Sequence, residues 1–323
     1  MLTRRALMRC AAALPLSLIV AGADASPVRV QLEFHSAFLM NLHHFLYNLG
    51  VHPELVEKIS WTAAPTADEM VALRKAVAHY RDNYAKRDPL FDEQMASIKM
   101  ALSVADTRRE AGGLALPPQL AAMLDSVAPM YARCIWAQQD ASNQQWITEA
   151  KRLDERYGAE IQEGIARYLQ APFPLTPIRI DVVVDTGTRQ GGYTDTQTVI
   201  PSGRPDYQGL ASLEMVYHEI SHIASTEKLE NAIEARLKAT QRSPDSDLWH
   251  GVQFYTVGTV VKDAYKRDGI AYESYADKRG LFKGYWSPLL PPIENEWRPY
   301  MAGKQTFDQT VVRMVDQLQE KQH

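Results

Sequence analysis

The sequence predicts an α+β fold that is predominantly helical, with a small β-sheet against which one functional helix packs. Three observations predict it. Helical patterning fills most of residues 30–170, a β-branched stretch and a second short strand follow, and helical patterning returns from Gln208 to the C-terminus. Strands grouped together, and not alternating with helices, argue for α+β and against a βαβ sheet.

The first helix rests on Phe34, Phe38, Leu42, Phe45, Leu46 and Leu49, which recur at three- and four-residue steps, with Gly50 closing the run. Thr66-Ala67-Asp68-Glu69 opens a second helix with an N-cap and early acids. Gly112-Gly113 and Pro117-Pro118 break the pattern, and a further helix runs from about Gln119 to Leu169 with an interruption near Asp140. The texture changes at Pro172-Phe173-Pro174. Ile178, Ile180, Val182, Val183 and Val184 read as one strand. Tyr193–Ile200 reads as another, with Thr194, Thr196, Thr198 and Ile200 on one face. The expected division is therefore a helical N-terminal lobe over 26–171 and a second lobe over 172–323.

Residues 1–25 stand apart. Arg4, Arg5 and Arg9 precede a short apolar run, Ala11–Val20, and Ala23-Asp24-Ala25 fits a small-x-small cleavage site. This is the pattern of a signal peptide, and Thr3-Arg4-Arg5 is compatible with twin-arginine export. A periplasmic or secreted protein is expected, with no stable membrane insertion once the signal is removed, because no later stretch approaches the roughly 20 apolar residues of a membrane span. Removal leaves 32 of the 35 Lys+Arg and 38 of the 39 Asp+Glu, a net charge of −6. A mildly acidic chain without a basic run gives no basis for nucleic-acid binding. Cys10 leaves with the signal, so Cys134 has no partner for an intramolecular disulfide, and its apolar neighbours suggest a core thiol.

The chemistry is concentrated in Met215-Val216-Tyr217-His218-Glu219-Ile220-Ser221-His222-Ile223-Ala224. His218 and His222 lie one helical turn apart on one face, and two imidazoles at that spacing can share one Zn²⁺ at about 2.0–2.1 Å. Glu219 is rotated about 100° from His218. It can lean over a water on the ion without ligating it, and take a proton as the water attacks a carbonyl carbon. Glu219 is the only charged residue between Met215 and Ala224, so the helix can be buried with its ligands desolvated. The bland alternative is a pair of core histidines on an apolar helix.

The segment from about Ile178 to Ala224 resembles the zincin superfamily of HExxH metallopeptidases. The resemblance implies that His218 and His222 are zinc ligands and that Glu219 is the general base and acid. It further implies that Tyr193–Ile200 is an edge strand on which extended peptide substrate pairs by β-addition. It covers only some 50 residues. Metzincins continue HExxHxxGxxH, and here Ser225 and Lys228 stand at those places, so that subclass is excluded. A gluzincin-like arrangement draws its third ligand from a later helix. His250, in the first turn and a half of a helix with Ser246 as its N-cap and Asp247 in its first turn, is the preferred donor. Glu230, Glu234, Glu273, Glu294 and Glu296 are the alternatives. Gly258 would let the His250 helix pack closely. Tyr255, five residues on, is a candidate catalytic donor to a tetrahedral oxyanion, with core packing as the alternative. His35, His43 and His44, placed on the first helix, are candidates for the far wall of a cleft, with core or surface roles as the alternative.

The function this predicts is zinc-dependent hydrolysis of peptide or amide bonds, with a peptide or protein substrate and one Zn²⁺ per chain. The alternative is a non-catalytic zincin-like scaffold whose metal site is structural.

Overall fold

The computed structural model describes residues 29–187, 191–195, 197–223, 225–242 and 247–318. The expected signal peptide and the expected cap Ser246 lie outside these residues. The chain forms β1 (Leu32–His35), α1 (Phe38–Val51), α2 (Ala67–Asn83), α3 (Glu93–Ser103), α4 (Pro118–Tyr131), α5 (Ala137–Leu169), β2 (Ile178–Val183), β3 (Tyr193–Thr194) and β4 (Thr198–Pro201). It continues through α6 (Leu210–Ser221), α7 (Glu227–Ala239), α8 (Leu248–Arg267) and α9 (Tyr275–Arg279). Two short helices, α10 (Leu290–Pro292) and α11 (Arg298–Met301), flank a π turn at Ile293–Trp297 and precede α12 (Phe307–Gln317).

Four strands form one mixed sheet in the order β1-β2-β4-β3. β1 and β4 run parallel to β2, and β3 is the antiparallel edge. Side chains alternate between the two faces. Ile178, Ile180, Val182 and Ile200 join a core with α5, α6, α7, α8 and α12, whereas Val183, Tyr193 and Val199 join a second core with α1–α4. The sheet is thus filled on both sides, and a mostly helical α+β architecture with a small central sheet results.

Several expectations change. Phe34 belongs to β1, not to the first helix. It kept helical spacing with Phe38 by coincidence, and its backbone pairs in register with Ile180. Gly50 does not end α1 but lies buried within it. A Cβ there would meet Tyr80 Cβ at 2.8 Å, so the glycine allows α1 and α2 to touch. The interruption expected near Asp140 falls earlier, as a π turn at Ala132–Trp136, one turn after Pro129 inside α4. The expected strand Tyr193–Ile200 is a tight hairpin instead, with Thr194 paired across to Thr198. Residues Trp146–Leu169 of α5, from the expected N-terminal lobe, pack in the core that also holds α6, α7, α8 and α12. The Thr66 capping box forms as its spacing predicts, and Cys134 is fully buried in the second core.

Candidate metal centre

Every residue from Ala211 to Ser221 is buried, so α6 runs through the interior and carries its polar side chains, Glu214, His218 and Glu219 among them, into it. Its N-terminal half is held by a buried carboxylate. Glu214 accepts from Tyr272 Oη at 2.5 Å and from the Tyr275 amide at 3.0 Å, and burial raises its pKa to about 7. Gly258 of α8 passes against this point, where a Cβ would lie 3.1 Å from Glu214 Oε1, which confirms the expected close approach. Tyr217 reaches the opposite side, donating to Asp154 at 2.6 Å and accepting from Gln162 at 2.9 Å. Asp154 also pairs with Arg29, and Gln162 bonds both the amide and the carbonyl of Val30.

The helix therefore arrives at its last turn in a fixed orientation. His218 lies inside that turn, and His222 is the residue that caps it, still in helical conformation. His250 comes from the first turn of α8. Three donor atoms, one from each ring, all lie within 4.8 Å of one another, and His218 Nε2 is 3.4 Å from His250 Nε2. A tetrahedral Zn²⁺ at about 2.0–2.1 Å from each nitrogen sets its ligands about 3.3–3.4 Å apart. The ring centroids form a nearly equilateral triangle of 5.0, 5.3 and 5.3 Å. Burial lowers all three imidazole pKa values, to about 3 for His222 and about 4 for His250, so the rings are neutral, the form in which imidazole ligates a metal.

The surroundings are aromatic. Phe254, one turn after His250, stacks on His218 at 3.7 Å between centroids, and Trp249 stacks on His250 at 4.9 Å. Trp286 meets His250 edge-on and donates to Asp247. Gln253 bridges the two helices: its amide donates to the His218 carbonyl at 2.9 Å and to Ser221 Oγ at 2.7 Å. That bond satisfies a carbonyl at the end of α6. His218 Nδ1 has no hydrogen-bond partner among the described residues, a departure from the outer-shell acceptor that usually orients a ligating histidine.

Glu219 projects toward the β3 edge. It is 3% exposed, and burial pushes its pKa up to about 8 against the pull of Thr194, whose Oγ1 donates to Oε2 at 3.2 Å. Gly192 lies against it so closely that a Cβ would stand 2.9 Å from Glu219 Cγ.

The preferred donor set, His218, His222 and His250, is brought together, with Glu219 beside His218 in the same turn. Tyr255 is not brought in. Its hydroxyl donates to Glu294 at 3.1 Å, and Phe254 occupies the helical position facing His218, because four residues and not five return to the same face. The alternative carboxylates have other settings. Glu294 and Glu296 accept from Arg298 and Gln317, and Glu234 and Glu273 are exposed. Glu230 stays half-buried on α7 and outside the triad. His35 sits on β1 and pairs with Asp106, while His43 and His44 bond Tyr80 and Tyr193 in the second core. Thr194, Gly192, Gln253 and Phe254 were not singled out as site residues by sequence. Only Phe254 and Gln253 carried a signal, their spacing of four and three from His250.

Comparison with protein-family models, with curated proteins and with solved structures finds no match to this chain.

Proposed function

We propose that this chain is an exported zinc-dependent hydrolase that cleaves peptide or other amide bonds. The observation that supports this best is a triad of neutral imidazoles whose donor atoms lie within 4.8 Å of one another, one pair of them at 3.4 Å, next in sequence to a buried carboxylate. Three protein donors leave a coordination position for water, the arrangement of a catalytic rather than a closed structural site. When bound, the ion would supply Lewis acidity, polarising a carbonyl and lowering the pKa of water towards about 7.

The residues of the chain do the remainder. His218, His222 and His250 hold the ion. Glu219 accepts a proton from the attacking water and returns it to the leaving amine. Its desolvated setting raises its basicity, as a general base working near neutral pH requires. Phe254, Trp249 and Trp286 exclude water around the imidazoles and so strengthen the electrostatics of the site. The antiparallel edge β3 lies on the Glu219 side of α6, where an extended peptide can add as a strand. This placement supports peptides over other amides as the substrate.

The test is metal analysis of the purified chain together with hydrolysis of a peptide library. About one zinc per chain, activity lost to a chelator and restored by zinc, is the expected result. A zinc-loaded protein that cleaves no peptide or amide would leave the scaffold reading in its place.

A further inference from the structure

We propose that the α1–α4 layer positions the general base: it clamps β3 from one side so that Thr194, on the other side, holds the Glu219 carboxylate. This inference rests on the reading of Glu219 as the base.

β3 has two residues and, among the described residues, a single neighbouring strand, β4. An edge strand of that length has little stability of its own. Its two side chains point to opposite faces, as they must in a strand. Tyr193 turns into the core of α1–α4, where it is 2% exposed. His44 Nδ1 donates to the Met40 carbonyl at 2.9 Å, which leaves Nε2 as the acceptor of the Tyr193 hydroxyl at 2.8 Å. Lys99 from α3 places its ammonium 4.3 Å above the Tyr193 ring and ties it to the Pro89 carbonyl at 2.6 Å. Gln197, in the hairpin turn, donates to the Lys99 carbonyl at 3.2 Å. The hairpin is thus gripped by α1 and α3 together.

Thr194 turns the other way, towards α6. Its single proton goes to Glu219 Oε2, and Thr198 can then donate to Thr194 Oγ1 at 3.1 Å, a directed chain of two hydroxyls ending on the carboxylate. The preceding residue completes the cradle. The Gly192 amide donates to Tyr207 Oη at 2.8 Å, and its missing Cβ leaves room for the Glu219 side chain. Three consecutive residues therefore link the helical layer to the base.

This arrangement gives a purpose to groups that the hydrolytic chemistry does not use. Lys99 and His44 are 1% and 2% exposed, and burying them is costly. Neither belongs to the imidazole triad. Both act on β3.

The experiment uses the full mature chain loaded with zinc and a peptide that it cleaves. Thr194→Val is expected to lower kcat roughly 10–100-fold while KM and zinc affinity stay within about twofold, and Thr194→Ser is expected to recover most of kcat. Tyr193→Phe, which cuts the link on the helical side, is expected to show the same split. A crystal structure of Thr194→Val is expected to show the carboxylate displaced from its wild-type place. Wild-type kcat in Thr194→Val, or a carboxylate that has not moved, overturns the positioning role. The crystallographic arm can be read even if the wild-type chain cleaves nothing, a result that strikes instead at the hydrolase reading.

Discussion

His218 Nε2 and His250 Nε2 stand 3.4 Å apart although 32 residues separate them in the chain. They are brought together by the crossing of α6 and α8, which Gln253 clips at the His218 carbonyl and Gly258 brings into close contact. If this pair grips a metal, His250→Ala should weaken zinc binding by more than the roughly 10–100-fold that losing an outer-shell contact costs. Competition with a chromogenic chelator measures it. Unchanged affinity would remove His250 from the ligand set.

Glu219→Gln keeps the shape of the side chain and removes its basicity. The expected variant binds zinc like the wild type and loses about 10²–10⁴-fold in kcat, the usual contribution of a general acid–base group. Steady-state hydrolysis alongside a zinc titration reads both quantities from one preparation.

Tyr255→Phe separates the site from its surroundings. The hydroxyl serves Glu294, so its loss should leave kcat within about twofold and cost about 1 kcal/mol of stability. Urea unfolding and a rate assay check the two halves of this statement. A large loss of kcat would restore Tyr255 to the catalytic set.

Gly158→Ala tests the back of α6. Alanine normally gains about 0.5–1 kcal/mol over glycine within a helix such as α5. Here the added Cβ would lie 2.7 Å from Tyr217 Oη, between Asp154 and the residue preceding His218. Overpacking of this kind costs about 1–3 kcal/mol, so the net effect should be destabilising. The midpoint of urea unfolding decides the sign.

Glu214 sets a pH dependence of stability. Burial raises its folded pKa to about 7 from an ordinary 4.5. The folded state then binds more protons than the unfolded state between those values. Its contribution is complete below about pH 4.5 and is lost as pH rises through about 7. Glu214→Gln should flatten this part of the profile, measured by unfolding at a series of pH values. The buried imidazoles act in the opposite direction. His44, held near 4, costs stability as pH falls below about 6.5, so the acid limb should persist in the variant.

What could be read from the sequence was local. The spacing of His218, Glu219 and His222 fixes their relation on any helix, and the Thr66 cap is written in four consecutive residues. His250 was reachable because few histidines compete with it and Asp247 marks the start of its helix. Partners that meet only through tertiary contact were not readable. Phe34 and Phe38 share a helical spacing, yet a strand ends between them, because pairing with β2 outweighs local pattern. The alternating threonines of Tyr193–Ile200 fit one strand as well as a hairpin, and the fold of Thr194 back onto Thr198 depends on the Glu219 and Lys99 contacts. The long α5 shows an apolar stripe but not which core it fills. Tyr255 and Phe254 differ by one position, and 100° of rotation decides which of them faces His218.

The parallel pairing of β1 with β2 has a kinetic consequence. Leu32 finds its register opposite Ile178, with the whole α1–α5 segment strung between them. The sheet cannot close until that segment has been synthesised and folded back, which raises the contact order and slows the rate-limiting step. The imidazole-bearing helix is docked on strands that complete late, so the nascent chain would pass through a stage with its helical layer formed and its donor atoms still scattered.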